Sequence, residues 1–536
     1  MTANRLCLLV ATWLVFTANG SFWRMLFKVQ GPGSHTWLFA ASVLVALIGL
    51  NLLLLRLLSP GRSVRVMLTL LLLLGVAAGW FMDTYGVAID SDMLRNALQT
   101  DSAEARDFLG WPLLWRILWQ AGIPIALVWM VQLPSASWLQ SLRDYLLGLA
   151  AGLLLLFSAA LPMYSSYASY FRNQDVARYL IAPANVVVGS TTLLRKTLRS
   201  NAPFVQVGLD AHRSVTPPGK PLLILMVVGE TARAANFSLG GYARPTNPLL
   251  KQRDVFYFSK VRSCGTSTAV SVPCMFSGMP REEFDLSHAD RRDTVLDMLQ
   301  RAGLAVTWID NQSGCKRVCA RVPYETAESY HPGSCKDGEC LDDALLYALD
   351  AKLPAVDRDT VLVLHTMGSH GPTYYRRVPP QMAVFQPTCA TERIETCSDA
   401  EIVNAYDNSI VYTDYVLAGM IDRLGRNTQV DSVLFYVSDH GESLGENGLY
   451  LHGQPYLIAP DVQKQVPMLM WFSTGALPRL SVDADCLRGR LGISASHDNV
   501  AHTLLGLAGV STTVYRPALD SLQGCRPMRV PSMERQ

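Results

Sequence analysis

Charged residues are scarce in this chain. Lys, Arg, Asp and Glu make up 17% of its 536 residues, compared with about 25% in an average soluble domain, while apolar residues reach 50%. This balance argues against a wholly soluble protein. The formal net charge is only +2, and the chain has no basic run, no RNA-binding signature, no low-complexity tract and no internal repeat. The sequence therefore predicts no nucleic-acid partner.

The apolar residues are concentrated before residue 165. Five apolar runs each approach the ~20 residues that span a bilayer: 6–22, 36–58, 66–84, 112–132 and 145–163. The fourth run is the weakest, because Arg116, Gln120 and Pro124 interrupt it. The first run also fits a cleaved signal peptide, but its bulky Trp13 and Phe16, together with the four later runs, favour a retained helix. We therefore predict five transmembrane helices in an N-terminal α-helical membrane domain, residues 1–164.

Basic residues set the orientation of these helices. A group of arginines falls in segments that alternate to the same side, which the positive-inside rule places in the cytoplasm: Arg5, Arg56, Arg62, Arg65 and Arg143. Arg24 and Lys28 fall on the other side and weaken the bias. With five crossings and a cytoplasmic N-terminus, the chain after about residue 165 lies outside the cytoplasm. Residues 165–214 read as a connector whose apolar stretch, 179–188, is expected to lie along the membrane surface, and 215–536 as the external domain.

Cysteine placement supports this topology. Ten of the eleven cysteines lie after residue 263, mostly in close sequential pairs, which predicts disulfides in an oxidising compartment. A cysteine zinc site fits poorly, since no histidine flanks the close pairs at finger spacing. The expected pairing is sequential: Cys264 with Cys274, Cys315 with Cys319, Cys335 with Cys340, Cys389 with Cys397, and Cys486 with Cys525.

The external domain has the pattern of an α/β fold. Short apolar runs at 222–229, 305–309, 360–364 and 432–437 alternate with helical stretches such as 293–302 and 405–424. Near-continuous apolar strands indicate a mainly parallel sheet that is covered by helices on both faces. In such sheets the ligand crevice lies at the carboxyl ends of the strands.

Polar residues follow these strands directly. Glu230 follows the first strand, and Asp439 and His440 follow the fourth. Two carboxylates, one imidazole and one hydroxyl form a typical ligand set for a zinc ion, and a divalent cation lowers the pKa of a threonine hydroxyl enough to supply an alkoxide nucleophile. Taken alone, Asp439 and His440 also fit a helix-capping carboxylate beside a solvated histidine.

A small-residue turn supplies the hydroxyl. The segment SCGTSTAVSVPC, residues 263–274, places Thr266, Ser267 and Thr268 between two cysteines, at a point where backbone amides opening a helix could hold a phosphate. An ordinary disulfide-closed loop with solvated hydroxyls explains the same residues. The chemistry of the sequence does not separate Thr266 from Thr268 as the nucleophile.

Further groups suited to phosphate oxyanions follow the remaining strands. Ser313 and Lys316 follow the second strand, His370 lies after the third, and His452 lies beyond His440. Histidine and lysine beside a transferring phosphoryl group neutralise developing charge and protonate the leaving oxygen. His365, at the edge of the third strand, fits a core histidine slightly better than a catalytic one.

One polar stripe is predicted in the membrane half. Asn96, Thr100 and Glu104 are spaced i, i+4 and i+8, so a helix would align them on one face at the outer membrane interface. The stripe suits a lipid headgroup, with Glu104 pairing a cationic amine. The spacing alone fits the solvated face of a short surface helix equally well.

These residues together carry a resemblance. With GETARA, SCGTSTAVSVPCMFS, GSHGPTY and SDHGESLGENGLYLHG in this order, the chain resembles, over nearly its whole length, the bacterial lipid A phosphoethanolamine transferases, the family that includes the mobile colistin-resistance enzymes. The resemblance implies a multi-pass, monomeric inner-membrane enzyme whose catalytic domain, residues 215–536, is periplasmic and alkaline-phosphatase/sulfatase-like. It also selects Thr268 as the nucleophile.

The resemblance implies the remaining roles as well. One tightly bound Zn²⁺, with room for a second, would be held by Glu230, Thr268, Asp439 and His440. The groups that would act in catalysis beside Thr268 are His370, His452 and Lys316. The positions that match the family's phosphoethanolamine and lipid site are Asn96, Thr100, Glu104, Ser313, Lys316, His370 and His452.

The implied reaction has two steps. Thr268 takes phosphoethanolamine from phosphatidylethanolamine, releasing diacylglycerol, and a phosphate of lipid A in lipopolysaccharide then accepts it. The added ammonium lowers the negative charge of the surface and is expected to give polymyxin resistance. Alternatives are an acceptor such as Kdo, core heptose or a periplasmic glucan, or a membrane-anchored phosphodiesterase or sulfatase in which water is the acceptor. A non-enzymatic scaffold would lack a nucleophile or a ligand, and none is missing here.

Overall fold

The computed structural model describes residues 1–60, 63–100, 105, 108, 110–134, 137–199, 203–213, 219–289, 291–336, 339–391 and 394–526. The chain forms two compact units. The first, which we call the membrane unit, contains Met1–Ala97, Phe108–Arg195 and Asn447–Tyr450. The second, the external unit, contains Leu98–Asp107, Lys196–Glu446 and Leu451–Gln536. The domain limits expected at 164/165 and 214/215 remain a prediction.

The membrane unit is helical. Four helical segments among its described residues are long and apolar enough to cross a membrane: Ser34–Leu58, Val64–Tyr85, Trp111–Met130 and Trp138–Asn173. A fifth crossing results if Ala3–Thr17 and Gly20–Gln30, bent by 60°, count as one span. Two further helices, Ser91–Gln99 and Ala184–Arg199, lie mostly within this unit. The prediction of five spans agrees with the count in which the bent pair is one span.

One buried side-chain amide stabilises the bend in the first span through hydrogen bonds. Asn19, between the two helices, donates its side-chain N–H to the carbonyls of Leu14 and Ala182, and its Oδ1 accepts the Ala182 N–H. These bonds join the helix break to the Ala182 backbone and pair buried polar groups, which a membrane interior requires. The bend is therefore an ordered feature of the bundle.

The polar residues that interrupt the fourth predicted span are also paired. A π-helical turn, Leu118–Gly122, divides this span. Arg116 donates to Asp83 Oδ2 at 2.6 Å and to Gln120 Oε1 at 2.9 Å. Charges inside a bilayer persist when they are paired in this way, so the interruption does not prevent a crossing.

Two sequence expectations concern the residues around the helix Ser91–Gln99 and the 179–188 segment. The helix that carries Asn96 ends at Gln99, and Thr100 follows it directly, so the i, i+4 stripe stays a prediction. Glu104 lies outside the described residues. The 179–188 segment is divided between a 3₁₀ turn, Asp175–Leu180, and the helix that begins at Ala184.

The external unit is built on a seven-stranded sheet. The described strands span Leu222–Gly229 (β1), Phe256–Phe258 (β2), Val261–Arg262 (β3), Ala305–Asp310 (β4), Tyr324–Thr326 (β5), Cys335–Lys336 (β6), Glu339–Cys340 (β7), Thr360–His365 (β8), Asp431–Ser438 (β9), Ser443–Leu444 (β10), Tyr450–Leu451 (β11), Met468–Phe472 (β12) and Ala495–Ser496 (β13). The order in the seven-stranded sheet is β2-β12-β9-β1-β8-β4-β5. Strands β9, β1, β8, β4 and β5 are parallel. At one edge β12 pairs antiparallel with β9, and β2 pairs antiparallel with β12. The prediction of a mainly parallel sheet is confirmed.

Helices cover this sheet. Every residue of β1 is buried, which explains its uninterrupted apolar sequence. Alternate residues of β1 share one core with the helices Thr268–Ser277, Val295–Arg301 and Asp498–Ala508. The unit's other helices are Leu286–Ala289, Ala344–Lys352, Asp399–Arg426, Ala476–Leu480 and Ala484–Arg490.

Sequence signals at both ends set the limits of the longest described helix, Asp399–Arg426. Ser398 and Glu401 form a capping box at its start, and Arg423 and Arg426 lie in its last turn, where positive charge favours the helix dipole. The helix therefore begins before the 405–424 stretch that its apolar period indicates. The five sequential disulfides are formed as predicted, and Cys7 is buried and free.

Candidate active site

Two neighbouring parallel strands place the candidate metal ligands together. Gly229 and Ser438 are register partners on β1 and β9, so the next residues, Glu230 and Asp439, leave the sheet side by side. Glu230, Asp439 and His440 each offer a ligand atom, and these atoms lie within 4.8 Å of one another. His440 Nε2 is 3.4 Å from Glu230 Oε1 and 3.3 Å from Asp439 Oδ2.

The remaining hydrogen bonds leave one ligand atom of each group for a cation. Asp439 Oδ1 accepts the N–H groups of Thr231 and His440, whereas its Oδ2 is buried without a hydrogen-bond partner among the described residues. His440 Nδ1 donates to the Gly441 carbonyl at 2.9 Å, so Nε2 is the ring nitrogen that faces the carboxylates and would bind a cation. A buried carboxylate oxygen without a donor is costly, so this cluster fits a metal ion.

The pKa values of the clustered side chains also indicate a metal ion. Burial would raise the pKa of Glu230, but the hydrogen bond and charge of His440 outweigh it and lower the pKa below its usual range. Burial and the negative charge of Glu230 raise the pKa of Asp439. Burial would lower the pKa of His440, yet the two carboxylates raise it to about 10. Two buried carboxylates thus depend on a shared positive charge, which a divalent cation would supply.

Thr268 completes the cluster. Its Oγ1 lies 3.2 Å from Glu230 Oε1, 3.1 Å from Glu230 Oε2 and 3.4 Å from His440 Nε2, and the residue is 4% exposed. Thr268 is the first residue of the helix Thr268–Ser277 and follows the extended Ser267. The Cys264–Cys274 disulfide joins the preceding turn to this helix. Thr268 therefore presents its hydroxyl at a helix N-terminus, where anions are stabilised.

The structure separates the two candidate threonines. Thr266 Oγ1 donates to the Gln454 carbonyl at 2.6 Å, and the Thr266 carbonyl accepts the Gly453 N–H. Its hydroxyl is therefore engaged in holding the turn against a distant segment. Only the hydroxyl of Thr268, of these two, is within hydrogen-bonding distance of the metal-ligand cluster.

Two histidines line the same cluster. The ring centroid of His452 is 4.2 Å from that of His440 and 5.7 Å from that of His370. His452 Nδ1 contacts Glu442 Oε2 at 3.0 Å, and Glu442 Oε1 accepts the Tyr374 hydroxyl at 3.0 Å. A carboxylate on Nδ1 selects the tautomer that keeps Nε2 available for proton transfer.

His365 is a core histidine. It is fully buried, and its Nδ1 contacts Asp310 Oδ1 at 2.9 Å, an oxygen that also accepts the Trp308 indole N–H. Burial would lower the pKa of His365, but the Asp310 carboxylate outweighs it and raises the pKa. The core interpretation preferred from the sequence agrees with this packing.

Ser313 and Lys316 are joined to each other. Lys316 Nζ donates to the carbonyl and hydroxyl oxygens of Ser313 at 2.9 and 2.7 Å. Lys316 and Arg317 both adopt left-handed backbone conformations, with φ of 48° and 72°. Such strain concentrates at functional sites. Asn96 lies in the helix Ser91–Gln99 of the membrane unit, and Thr100 follows that helix.

Sequence reasoning missed two residues of the site. Glu442 lies inside the SDHGES motif, and its position two residues after His440 was the available signal. His497 had no local signal: its Nδ1 accepts the Cys264 N–H at 3.0 Å and its Nε2 donates to the Ser438 carbonyl at 2.9 Å. Burial lowers the pKa of His497 to about 3, so it is neutral and ties the turn before Thr268 to the end of β9.

Comparisons with known proteins agree with this geometry. The sulfatase family matches residues 223–510, and the family described as phosphoethanolamine transferase EptA/EptB matches residues 47–198. The phosphoethanolamine transferase EptA of Escherichia coli strain K12 is 44% identical over 469 residues, covering 86% of each chain. The phosphatidylethanolamine transferase Mcr-1 of E. coli is 37% identical and covers 94% of each chain.

A full-length solved structure extends the comparison to the fold. The integral membrane lipooligosaccharide phosphoethanolamine transferase EptA of Neisseria meningitidis matches with a TM-score of 0.93 at 37% identity, covering 97% of this chain and 99% of that one. This match spans the helical membrane unit and the sulfatase-like external unit. The chain belongs to the EptA/EptB family of phosphoethanolamine transferases.

Proposed function

We propose that this protein transfers phosphoethanolamine from phosphatidylethanolamine to a phosphate of lipid A through a covalent intermediate on Thr268. The observation that carries the proposal is the position of Thr268 Oγ1, 3.1–3.4 Å from Glu230 and His440 in a buried cluster. That cluster also contains Asp439 Oδ2, which has no hydrogen-bond partner among the residues that the structure describes. A hydroxyl is placed in this way when it must lose its proton and attack.

Glu230, Thr268, Asp439 and His440 would hold the metal, and their oxygen and nitrogen donors suit zinc. When bound there, zinc lowers the pKa of the Thr268 hydroxyl. The protein fixes the donors in advance: Gly441 holds the imidazole of His440, and backbone N–H groups hold Asp439 Oδ1. Fixed donors reduce the reorganisation needed at each turnover.

In the first step, Thr268 Oγ1 gives its proton to solvent and attacks the phosphorus of the donor lipid. The bond from phosphorus to the glycerol oxygen breaks, and diacylglycerol leaves with a proton. Protonated His452, oriented by Glu442, supplies that proton from Nε2 and is reprotonated from solvent, and His370 lies beside it. The N-terminus of the helix Thr268–Ser277 stabilises the negative phosphoryl oxygens.

In the second step, an oxygen of the acceptor phosphate attacks the same phosphorus. The bond to Thr268 Oγ1 breaks, and the threonine oxygen takes a proton from solvent, which restores its hydroxyl. Two steps suit two bulky lipids, because each can occupy the site in turn. Lys316, held by Ser313, adds positive charge for the phosphate groups.

A lipid A phosphate is the acceptor that the relatives favour. The Neisseria relative is named for transfer to lipooligosaccharide. A Kdo acceptor has less support, since the E. coli Kdo(2)-lipid A phosphoethanolamine 7''-transferase is only 24% identical. The product carries an added ammonium, which weakens attraction of cationic peptides such as polymyxins.

The test is product analysis in a polymyxin-sensitive bacterium that lacks its own transferase. We expect lipid A from cells with the wild-type protein to gain phosphoethanolamine and the cells to resist polymyxin. Thr268→Ala should abolish both, and Thr266→Ala should retain both. If lipid A stays unmodified and phosphoethanolamine is found on Kdo or heptose, that sugar is the acceptor and the lipid A assignment is wrong. Free phosphoethanolamine without any modified lipid would indicate a hydrolase.

A further inference from the structure

Thr231, the residue directly after the candidate ligand Glu230, has a strained backbone. Its φ is 57°, in the left-handed region, where a β-branched side chain is a genuine outlier. Thr231 is the only β-branched residue among the described non-glycine residues with a positive φ. It is fully buried, with 0% of its surface exposed. A conformation of this kind persists only where the surrounding contacts impose it, and such positions cluster at functional sites.

Three hydrogen bonds hold Thr231 in this conformation. Its hydroxyl donates to Glu230 Oε1 at 2.6 Å, and its backbone N–H donates to Asp439 Oδ1 at 3.0 Å. Its carbonyl accepts the Tyr406 hydroxyl at 2.7 Å. All three polar groups of this one residue are therefore engaged, and two of the three bonds go to the two carboxylates of the candidate metal cluster.

The two carboxylates keep their other oxygens within the cluster. Glu230 Oε2 lies 3.1 Å from Thr268 Oγ1, and Asp439 Oδ2 lies 3.3 Å from His440 Nε2. Two buried carboxylates this close repel each other. Hydrogen bonds that fix one oxygen of each group therefore oppose their turning apart. Partners of this kind orient metal ligands and strengthen metal binding.

The longest described helix anchors Thr231 in turn. Tyr406 lies in this helix, Asp399–Arg426, and is fully buried. Its hydroxyl accepts the Arg233 N–H at 2.9 Å as well as donating to the Thr231 carbonyl. The ring of Tyr374 packs edge-on against that of Tyr406, with the centroids 5.4 Å apart. The turn after β1 is thus held on both sides of Ala232, so the position of the Thr231 hydroxyl is set by the fold.

We propose that Thr231 is a positioning residue that presents Glu230 and Asp439 together to the metal ion. The inference rests on the metal site of the proposed function and adds to it a residue that does not itself bind the ion. If Thr231 served only to complete a turn, glycine, which adopts a positive φ without strain, would replace it fully. The bond from its hydroxyl to Glu230 favours the positioning role, because a turn alone does not need that hydroxyl.

The experiment measures Zn²⁺ affinity in full-length protein in detergent, freed of metal by a chelator and titrated with Zn²⁺ against a fluorescent zinc indicator. Thr231→Val keeps the β-branched shape and removes the hydroxyl, whereas Thr231→Ser keeps the hydroxyl. Thr231→Gly removes the hydroxyl and relieves the strain, so the test remains informative if Thr231→Val does not fold. The matched control is Thr503→Val, because Thr503 is also 0% exposed and its hydroxyl oxygen accepts the Ser521 N–H at 3.0 Å.

We expect Thr231→Val and Thr231→Gly to bind Zn²⁺ about 10- to 100-fold more weakly than wild type, the usual loss when a hydrogen-bond partner of a metal ligand is removed. Thr231→Ser and Thr503→Val should bind Zn²⁺ with an affinity close to that of wild type. The thermal midpoint of each metal-free protein is measured beside the affinity, which separates a weaker site from a less stable fold. At one Zn²⁺ concentration, the midpoint should rise less in Thr231→Val than in wild type.

Each other outcome contradicts a defined part of the account. Wild-type Zn²⁺ affinity in either Thr231→Val or Thr231→Gly would overturn the positioning role and leave the metal site intact. An equal loss of affinity in Thr231→Ser or Thr503→Val would overturn it too, because lost packing rather than the lost hydroxyl would then explain the effect. A wild-type protein that binds no Zn²⁺ would contradict the metal site of the proposed function, and the role of Thr231 with it.

Discussion

Replacing Glu442 with glutamine tests how the protein orients its proton donor. Glu442 is fully buried and joins two side chains, the imidazole of His452 at 3.0 Å and the hydroxyl of Tyr374 at 3.0 Å. Glu442→Gln keeps the volume but removes the negative charge. Because an amide is neutral, the substitution no longer stabilises protonated His452, the form that carries a proton on both ring nitrogens.

The expected magnitude follows from that one contact. A hydrogen bond to a charged group contributes about 1.5–3 kcal/mol, and full burial favours the upper part of this range. Loss of that contribution in the transition state slows diacylglycerol release by roughly tenfold to 150-fold. The assay is the initial rate of diacylglycerol release from phosphatidylethanolamine by full-length protein, with the thermal midpoint measured beside it.

Tyr374→Phe is the matched control. It removes the other partner of Glu442 but leaves the carboxylate on His452, so its rate should stay near that of wild type. If Glu442→Gln and Tyr374→Phe release diacylglycerol at the same rate, Glu442 does not act through His452. That result would refute the assignment of His452 as an oriented proton donor.

Three further predictions concern stability. Chelation should lower the thermal midpoint of the wild-type protein, and Zn²⁺ should restore it, because a ligand at 100 times its Kd stabilises by about 2.7 kcal/mol. The thermal midpoint of Asp439→Asn should not change on chelation. An equal change in the wild-type protein and in Asp439→Asn would contradict the metal site. The double variant Cys264→Ser/Cys274→Ser should lose about 2–4 kcal/mol of stability and release diacylglycerol more slowly, whereas an unchanged midpoint and rate would show that the disulfide does not fix Thr268. His497 has a folded-state pKa of about 3, below its unfolded value of about 6.5, so its contribution is complete above pH 6.5 and is lost as pH falls toward 3. Between pH 7 and pH 5 the thermal midpoint of wild type should therefore fall more than that of His497→Gln, and equal falls would exclude this role.

The sequence predicts the parallel strands and the metal ligands for one reason. Buried parallel strands such as β1 must be apolar throughout, so Glu230 stands out as the first charged residue after Leu222–Gly229. Asp439 follows β9 in the same way. The antiparallel edge strand β12 is equally apolar, but its direction depends on a chain connection that hydropathy does not describe.

The remainder depends on contacts between distant segments. The choice of Thr268 over Thr266 depends on the Gln454 carbonyl, which lies far along the chain. His497 connects Cys264 to Ser438 through backbone groups, which leave no trace in the pattern of side chains. The predicted polar stripe depends on a helix that continues past Gln99, where the described helix ends, so helix periodicity alone does not establish it.

The central claim is that Thr268 carries phosphoethanolamine between two lipids. The most direct test incubates full-length protein with phosphatidylethanolamine and no acceptor, then measures intact mass and maps the modified peptide. We predict one phosphoethanolamine on Thr268 for each diacylglycerol released, no adduct in Thr268→Ala, and a retained adduct in Thr266→Ala. Continuous release of diacylglycerol and free phosphoethanolamine without an adduct, or an adduct on another residue, would contradict the account.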